Sequence, residues 1–116
     1  MNLEKLTLED YEQVKNLSKK YKLDVLKKND WTSIWGKNPF IIKSQKDWTI
    51  GWKLVDPKNE IVGLIHNIPF TFYYKNKNYL AAICGNWVID NKYRSFALDI
   101  RSKFLNQKNI DLYITN

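Results

Sequence analysis

The residues with the clearest capacity for chemistry lie in one run, Trp87-Val88-Ile89-Asp90-Asn91-Lys92-Tyr93-Arg94-Ser95-Phe96-Ala97-Leu98. An apolar, β-prone stretch gives way there to a short polar loop and then to residues at helical spacing. The first turn of a helix carries amides without intrahelical partners, and the dipole adds partial positive charge, so such a junction can hold an anion, phosphate above all. Other reactive side chains read as structural. His66 shares a strand face with Val62, Leu64, Ile68 and Phe70, company that suits a hydrogen-bonded core imidazole. Cys84 stands among small residues with no Arg or Lys beside it to activate the thiol, and reads as core. Trp31, Trp35, Trp48, Trp52 and Trp87 are spaced as core faces of helix and strand, with the lining of an acceptor pocket as the other use. One cysteine and one histidine leave no disulfide and no Cys- or His-based metal cage, so no metal is expected.

The elements that must position that run follow from periodicity. Leu8, Tyr11 and Val14 form a helical stripe after Thr7, a capping residue with Asp10 three positions on, which predicts a helix over about 8 to 20. Asp24 to Trp35 predicts a second helix ending at Gly36 and Pro39, with Asn38-Pro39-Phe40 as a turn. The period then becomes two. Trp48, Ile50, Trp52 and Leu54 alternate with their neighbours up to the turn Asp56-Pro57-Lys58-Asn59, a strand follows from Ile61 to about Tyr74 with Pro69 at a bend or edge, and Asn76-Lys77-Asn78 turns the chain again. Tyr79 to Ile89 is the next strand, with Gly85 at a bulge or close approach. A helix follows Tyr93 and ends near Gln107, and Ile110 to Ile114 is a last strand, parallel to its predecessor across the helix. The expected fold class is α+β: two N-terminal helices, a three-stranded antiparallel meander, then a helix and a parallel strand.

Composition narrows the classes. The 116 residues suit one domain, and 44% hydrophobic content with 5 Trp, 7 Tyr and 5 Phe is enough apolar volume for a core. No apolar run reaches the roughly 20 residues of a membrane helix, and the charged start is unlike a signal peptide, so the chain reads as cytoplasmic with no membrane partner. The net charge of +7 invites a nucleic-acid partner. Against it, only Arg94 and Arg101 are arginines and the lysines are dispersed, which reads as a solvated basic surface.

Trp48-Thr49-Ile50-Gly51-Trp52, Glu60-Ile61-Val62-Gly63 and Val88-Ile89-Asp90-Asn91-Lys92-Tyr93-Arg94, taken in order, resemble successive landmarks of the GNAT acetyltransferase superfamily and span nearly the whole chain. Leu3 to Leu6 matches the first strand of that fold. The resemblance implies acetyl-coenzyme A or a related acyl-coenzyme A as cosubstrate and an amine as acceptor. The backbone at Trp87, Val88 and Ile89 would bond the pantetheine arm and polarise the thioester carbonyl, and amides at Arg94, Ser95, Phe96, Ala97 and Leu98 would hold the pyrophosphate. Asp111 is the candidate base, and Asn86 the candidate for orienting the acceptor, with a bulge or cap as its structural use.

Two departures accompany the resemblance. With Arg94 aligned to the first residue of the family's Arg/Gln-x-x-Gly-x-Gly/Ala motif, Ala97 stands at the first glycine and Asp99, a carboxylate, at the second small residue. The family fold also continues with another helix and two strands, so residues 1–116 read as a truncated GNAT-like domain, incomplete or inactive. The alternative is a noncatalytic interaction or assembly domain, a homo-oligomer that covers the exposed sheet edge.

Overall fold

Val62, Leu64 and Ile65 are buried although neighbouring positions on a strand face opposite ways, so their strand needs cover on both sides. In the computed structural model, which describes residues 1–115, that strand is β3 (Ile61–Tyr74), centre of a five-stranded sheet ordered β1-β2-β3-β4-β5. β1 (Asn2–Lys5), β2 (Gly51–Val55), β3 and β4 (Lys77–Ile89) are antiparallel neighbours, and β5 (Leu112–Ile114) lies parallel to β4. α1 (Tyr11–Lys20), α2 (Lys28–Gly36) and α3 (Pro39–Ser44) separate β1 from β2, and α4 (Ala97–Leu105) links β4 to β5. One core joins Tyr11, Val14, Leu17, Trp31 and Trp35 to Leu64 and Val88; the other joins Ile100 and Phe104 of α4 to Trp52, Leu54, Ile65 and Ala82. The sheet is thus covered by α1 and α2 on one face and by α4 on the other.

The start of the first helix follows its capping signal. A 3₁₀ turn, Leu8–Asp10, precedes α1, and Thr7 N–H donates to Asp10 Oδ2 at 2.8 Å. The same carboxylate accepts from Lys53 Nζ at 2.9 and 3.0 Å, and both side chains are mostly buried. Asp10→Ala removes the cap and strands the Lys53 ammonium, so we expect a loss of about 2 kcal/mol, read as a lower urea midpoint at unchanged slope.

Three expectations need correction. The second helix begins at Lys28 rather than Asp24, because the chain leaves α1 after Lys20 through a left-handed Lys22 (φ 59°) and the Leu26 carbonyl is drawn to the Tyr11 hydroxyl, which donates to it at 2.7 Å. Asn38-Pro39-Phe40 opens α3 instead of a turn: Asn38 Oδ1 accepts from Phe40 N–H at 3.1 Å, and proline's fixed φ suits the first helical position. The chain reverses at Lys75 and Asn76 (φ 49° and 63°), so Lys77 and Asn78 already belong to β4. Pro69 does sit at an edge that no strand pairs among the described residues, since β2 pairs with β3 only as far as His66; there the Asn38 side-chain amide donates to the Pro69 carbonyl at 3.0 Å.

Irregularities set which side chains face which layer. β2 begins at Gly51, where a Cβ would lie 2.2 Å from the Ile65 carbonyl oxygen, and Ile50 before it packs against α1 and α2 although Trp52 and Leu54 face α4. Opposite β2 the register jumps from Leu54↔Gly63 to Val55↔Ile61, leaving Val62 as the extra residue. Val62 therefore faces α4 while Leu64 faces α1 and α2, so His66 does not share its face with Val62 as expected. Between β3 and β4 the register runs from Ile65↔Trp87 to Asn67↔Cys84, so His66 alone opposes Gly85 and Asn86. This is the bulge that Gly85 predicts, and a Cβ there would come within 2.9 Å of His66 Cβ.

Candidate functional site

The second half of β4 has one unpaired edge. β5 pairs with β4 only at Ala81, Ala82 and Ile83, six residues short of the end of β4 at Ile89. Asp90 N–H donates to the Val62 carbonyl at 2.8 Å, which turns it toward β3. Backbone groups alternate sides along a strand, so Val88 also faces β3, while the amides and carbonyls of Trp87 and Ile89 point to the open edge. Beside them lies a hollow of about 380 Å³ lined by Tyr21, Trp87, Val88, Ile89, Arg94 and Ala97. Five of these six are residues singled out from the sequence. Val88 contributes its buried side chain and not its backbone, a correction to the expectation that all three amides serve.

The junction after β4 is more closed than expected. Asn91 N–H donates to the Tyr21 hydroxyl oxygen at 2.8 Å, Tyr93 N–H to the Asp90 carbonyl at 2.8 Å, and the Asp90 side chain caps Lys92 N–H. Residues Asn91–Phe96 form a 3₁₀ segment kinked at Tyr93, and Ala97 N–H is taken by the Arg94 carbonyl. The loop amides are therefore spent within the chain rather than aimed outward, because a 3₁₀ run bonds each amide three residues back. Asp90 is in turn held by Lys20 Nζ at 2.7 Å and by the Tyr21 hydroxyl at 3.0 Å. The Lys20 hydrogen bond keeps the Asp90 carboxyl below its ordinary pKa, and Asp90 raises that of Lys20. What remains for an anion is the Arg94 side chain: it is exposed, and its Nε donates to Asn91 Oδ1 at 2.9 Å, leaving the terminal nitrogens free to reach the hollow.

The other predicted residues disperse. Ser95 and Leu98 are exposed and Phe96 half-buried, and Asp99 sits in the first turn of α4 facing solvent. Asp111 is pinned at the far end of β4, where its Oδ2 accepts from Leu80 N–H at 2.8 Å. Seven residues of strand separate Leu80 from Trp87, roughly 23 Å, so Asp111 cannot act as the base there. Trp87 is also not a core residue: it is 42% exposed, with the Arg101 guanidinium 5.8 Å from its ring, because the bulge turns it outward. Cys84 is buried as expected, and burial pushes its thiol pKa up.

Asn86 opens onto a second cavity, of about 200 Å³, between α1, the loop after it, α2 and the bulge. Its walls include Val14, Leu26, Trp31, Ile34 and Ile68, with His66 and Ser18 as buried polar groups. Two donors converge on His66: the Trp31 indole N–H lies 3.3 Å from Nε2 and Asn86 N–H 3.3 Å from Nδ1. A neutral ring accepts at one nitrogen and carries its own proton on the other, so it can take only one of these donors at a time, and burial lowers its pKa to about 4. His66 is a neutral core residue, as the sequence suggests. Asn67 was missed. It is fully buried, its carbonyl accepts both the Trp35 and Trp48 indole N–H groups, and its side chain bonds Gln107 and the Thr49 carbonyl. Its only sequence signal is a polar residue inside an apolar strand.

No protein-family model matches this chain, and no curated protein matches its sequence. Solved structures do. The NatB acetyltransferase complex bound to CoA and MES is similar at TM-score 0.65 and 12% identity over 95% of this chain, which spans 66% of that one. A second NatB complex, bound to a bisubstrate inhibitor, is spanned over 57% of its chain. A GNAT family acetyltransferase from Staphylococcus aureus gives 0.58 and 20% identity over 99% of this chain and 84% of that one. Glucosamine-6-phosphate N-acetyltransferase from Arabidopsis thaliana gives 0.69 and 10% over 99% and 80%. The α+β architecture and the element order are therefore those of the GNAT acetyltransferase fold. Among the described residues no helix is long and apolar enough to cross a membrane, and no three His, Cys, Asp or Glu side chains gather as metal ligands.

Proposed function

Proceeding from that fold, we propose that the chain binds a coenzyme A thioester along the open edge of β4 and transfers its acyl group, acetyl or a related one, to an amine. The observation that carries this is the pair of backbone amides, Trp87 and Ile89, left without a strand partner beside the Arg94 hollow. An extended pantetheine arm can pair with such an edge as a strand would. An amide donating to the thioester oxygen stabilises the negative charge that develops as the amine nitrogen attacks the carbonyl carbon and the C–S bond breaks. The amine proton leaves through water, since Asp111 is remote and both His66 nitrogens face donors. Arg94 meets the pyrophosphate as a charged hydrogen-bond donor.

Calorimetry with coenzyme A tests this. We expect saturable heat, about tenfold weaker binding for Arg94→Ala, and a comparable loss for Trp87→Pro, which deletes an amide facing away from β3 and so leaves the urea midpoint nearly unchanged. No heat at millimolar coenzyme A overturns the proposal. A noncatalytic assembly domain is the second reading, favoured by the outer edge of β5, where Leu112 and Ile114 are 46% and 38% exposed and no further strand pairs among the described residues. It requires a stable oligomer in light scattering.

A further inference from the structure

We infer that the cavity between α1, α2 and the β4 bulge takes a small primary amine with an apolar, ring-sized body. This inference rests on the transferase proposed above, for which the cavity is the acceptor side. Size comes first: an apolar cavity of about 150 Å³ accepts a benzene ring, so the 200 Å³ here suits a six-membered ring with a short side arm. Its walls are aliphatic and aromatic, with Val14, Leu26, Trp31, Ile34 and Ile68. The position fits as well. Gly85 and Asn86 line the cavity and immediately precede Trp87, so a nitrogen at its mouth lies within one or two strand residues, about 3 to 7 Å, of the open Trp87 amide.

The polar groups specify more. Ser18 Oγ lines the cavity in a residue only 2% exposed, and it is the buried side-chain polar atom without a hydrogen-bond partner among the described residues. A hydroxyl in that condition can donate to or accept from a ligand group. Charge excludes other acceptors. Lys15 is committed to Glu12 at 2.8 Å, and His66, held by burial to a pKa of about 4, is neutral at physiological pH. Among the described residues, therefore, no unpaired cation lines the cavity to meet a phosphate. The lining carboxylate, Asp24, makes no ion pair among the described residues and stands exposed at the rim, where it favours an approaching ammonium.

The test uses the whole chain and three probes by calorimetry: phenethylamine, tyramine and glucosamine 6-phosphate. Phenethylamine should bind saturably. Tyramine, which adds one hydroxyl, should bind several-fold more tightly and lose that advantage in Ser18→Ala. Ile34→Phe, which narrows a half-buried wall, should weaken both amines at least tenfold while coenzyme A binding stays unchanged. Glucosamine 6-phosphate binding as tightly as phenethylamine, or unaltered amine binding in Ile34→Phe, overturns the inference. The two proposals fail separately. Heat from coenzyme A without heat from millimolar phenethylamine removes the apolar acceptor and leaves the transferase, whereas phenethylamine binding with no response to coenzyme A leaves an amine site and removes the transferase.

Discussion

Between pH 7 and pH 4 this fold should lose about 3 kcal/mol of stability through one side chain, His66. In the unfolded chain the imidazole titrates near the usual histidine value, whereas in the fold burial lowers its pKa to about 4. The unfolded state therefore binds the extra proton first as pH falls. Stability is complete above about 6.5 and drains away down to about 4, where the folded ring also begins to protonate. The geometry agrees in sign, because the Trp31 indole and the Asn86 amide both present N–H groups to the ring: the neutral ring keeps one lone pair to accept from one of them, and a second ring proton removes it. Urea midpoints measured across this range should fall more steeply in the natural protein than in His66→Gln, which cannot titrate. Parallel curves would falsify the assignment and mean that the ring reaches water.

Asn67→Ala should cost about 3 kcal/mol, at the upper end for a single polar truncation. The residue is completely buried, and its side chain closes a reciprocal pair with Gln107 at 2.8 and 3.0 Å while donating to the Thr49 carbonyl at 2.9 Å. Alanine leaves that carbonyl and the Gln107 amide desolvated without partners, and opens space beneath Trp48. Gln107 is half-buried and also donates to the Phe104 carbonyl, so Gln107→Ala should cost less. A double-mutant cycle should return a coupling of about 1 kcal/mol or more. Near-additivity would mean that water replaces the pair.

The order of elements was legible because two signals agreed over long stretches. Ile61 to Tyr74 keeps β-prone residues between two turn signals and forms a strand over that whole range, and the spacing of Ile100 and Phe104 places α4 against the sheet. Asn38-Pro39 failed as a turn because the same two residues serve a helix start equally well. Faces failed where a single extra residue intervened. Val62 as a residue type announces no bulge, so His66 takes one wrong neighbour in the sequence reading; Gly85 and Asn86 do signal the second bulge, but not that it reverses the face of Trp87, which therefore reads as core. The hollow is legible in Trp87, Val88, Ile89, Arg94 and Ala97, yet the closure of the loop amides is not, since it depends on Tyr21, some 70 residues away in the chain. Asp111 illustrates the same limit, for the end of β4 that a parallel partner meets is a matter of register.

The doubled residue opposite His66 works as a parity switch. Upstream of it even-numbered side chains of β4, Ala82 and Cys84, look toward α4; downstream the odd-numbered Trp87 and Ile89 do, and Val88 looks the other way. Deleting one codon there would exchange the two sets at a stroke, sending an indole into the aliphatic layer and a valine into solvent. Outside Gly85, this segment therefore has more room for replacement than for change of length, and its count is as much a part of the design as its chemistry.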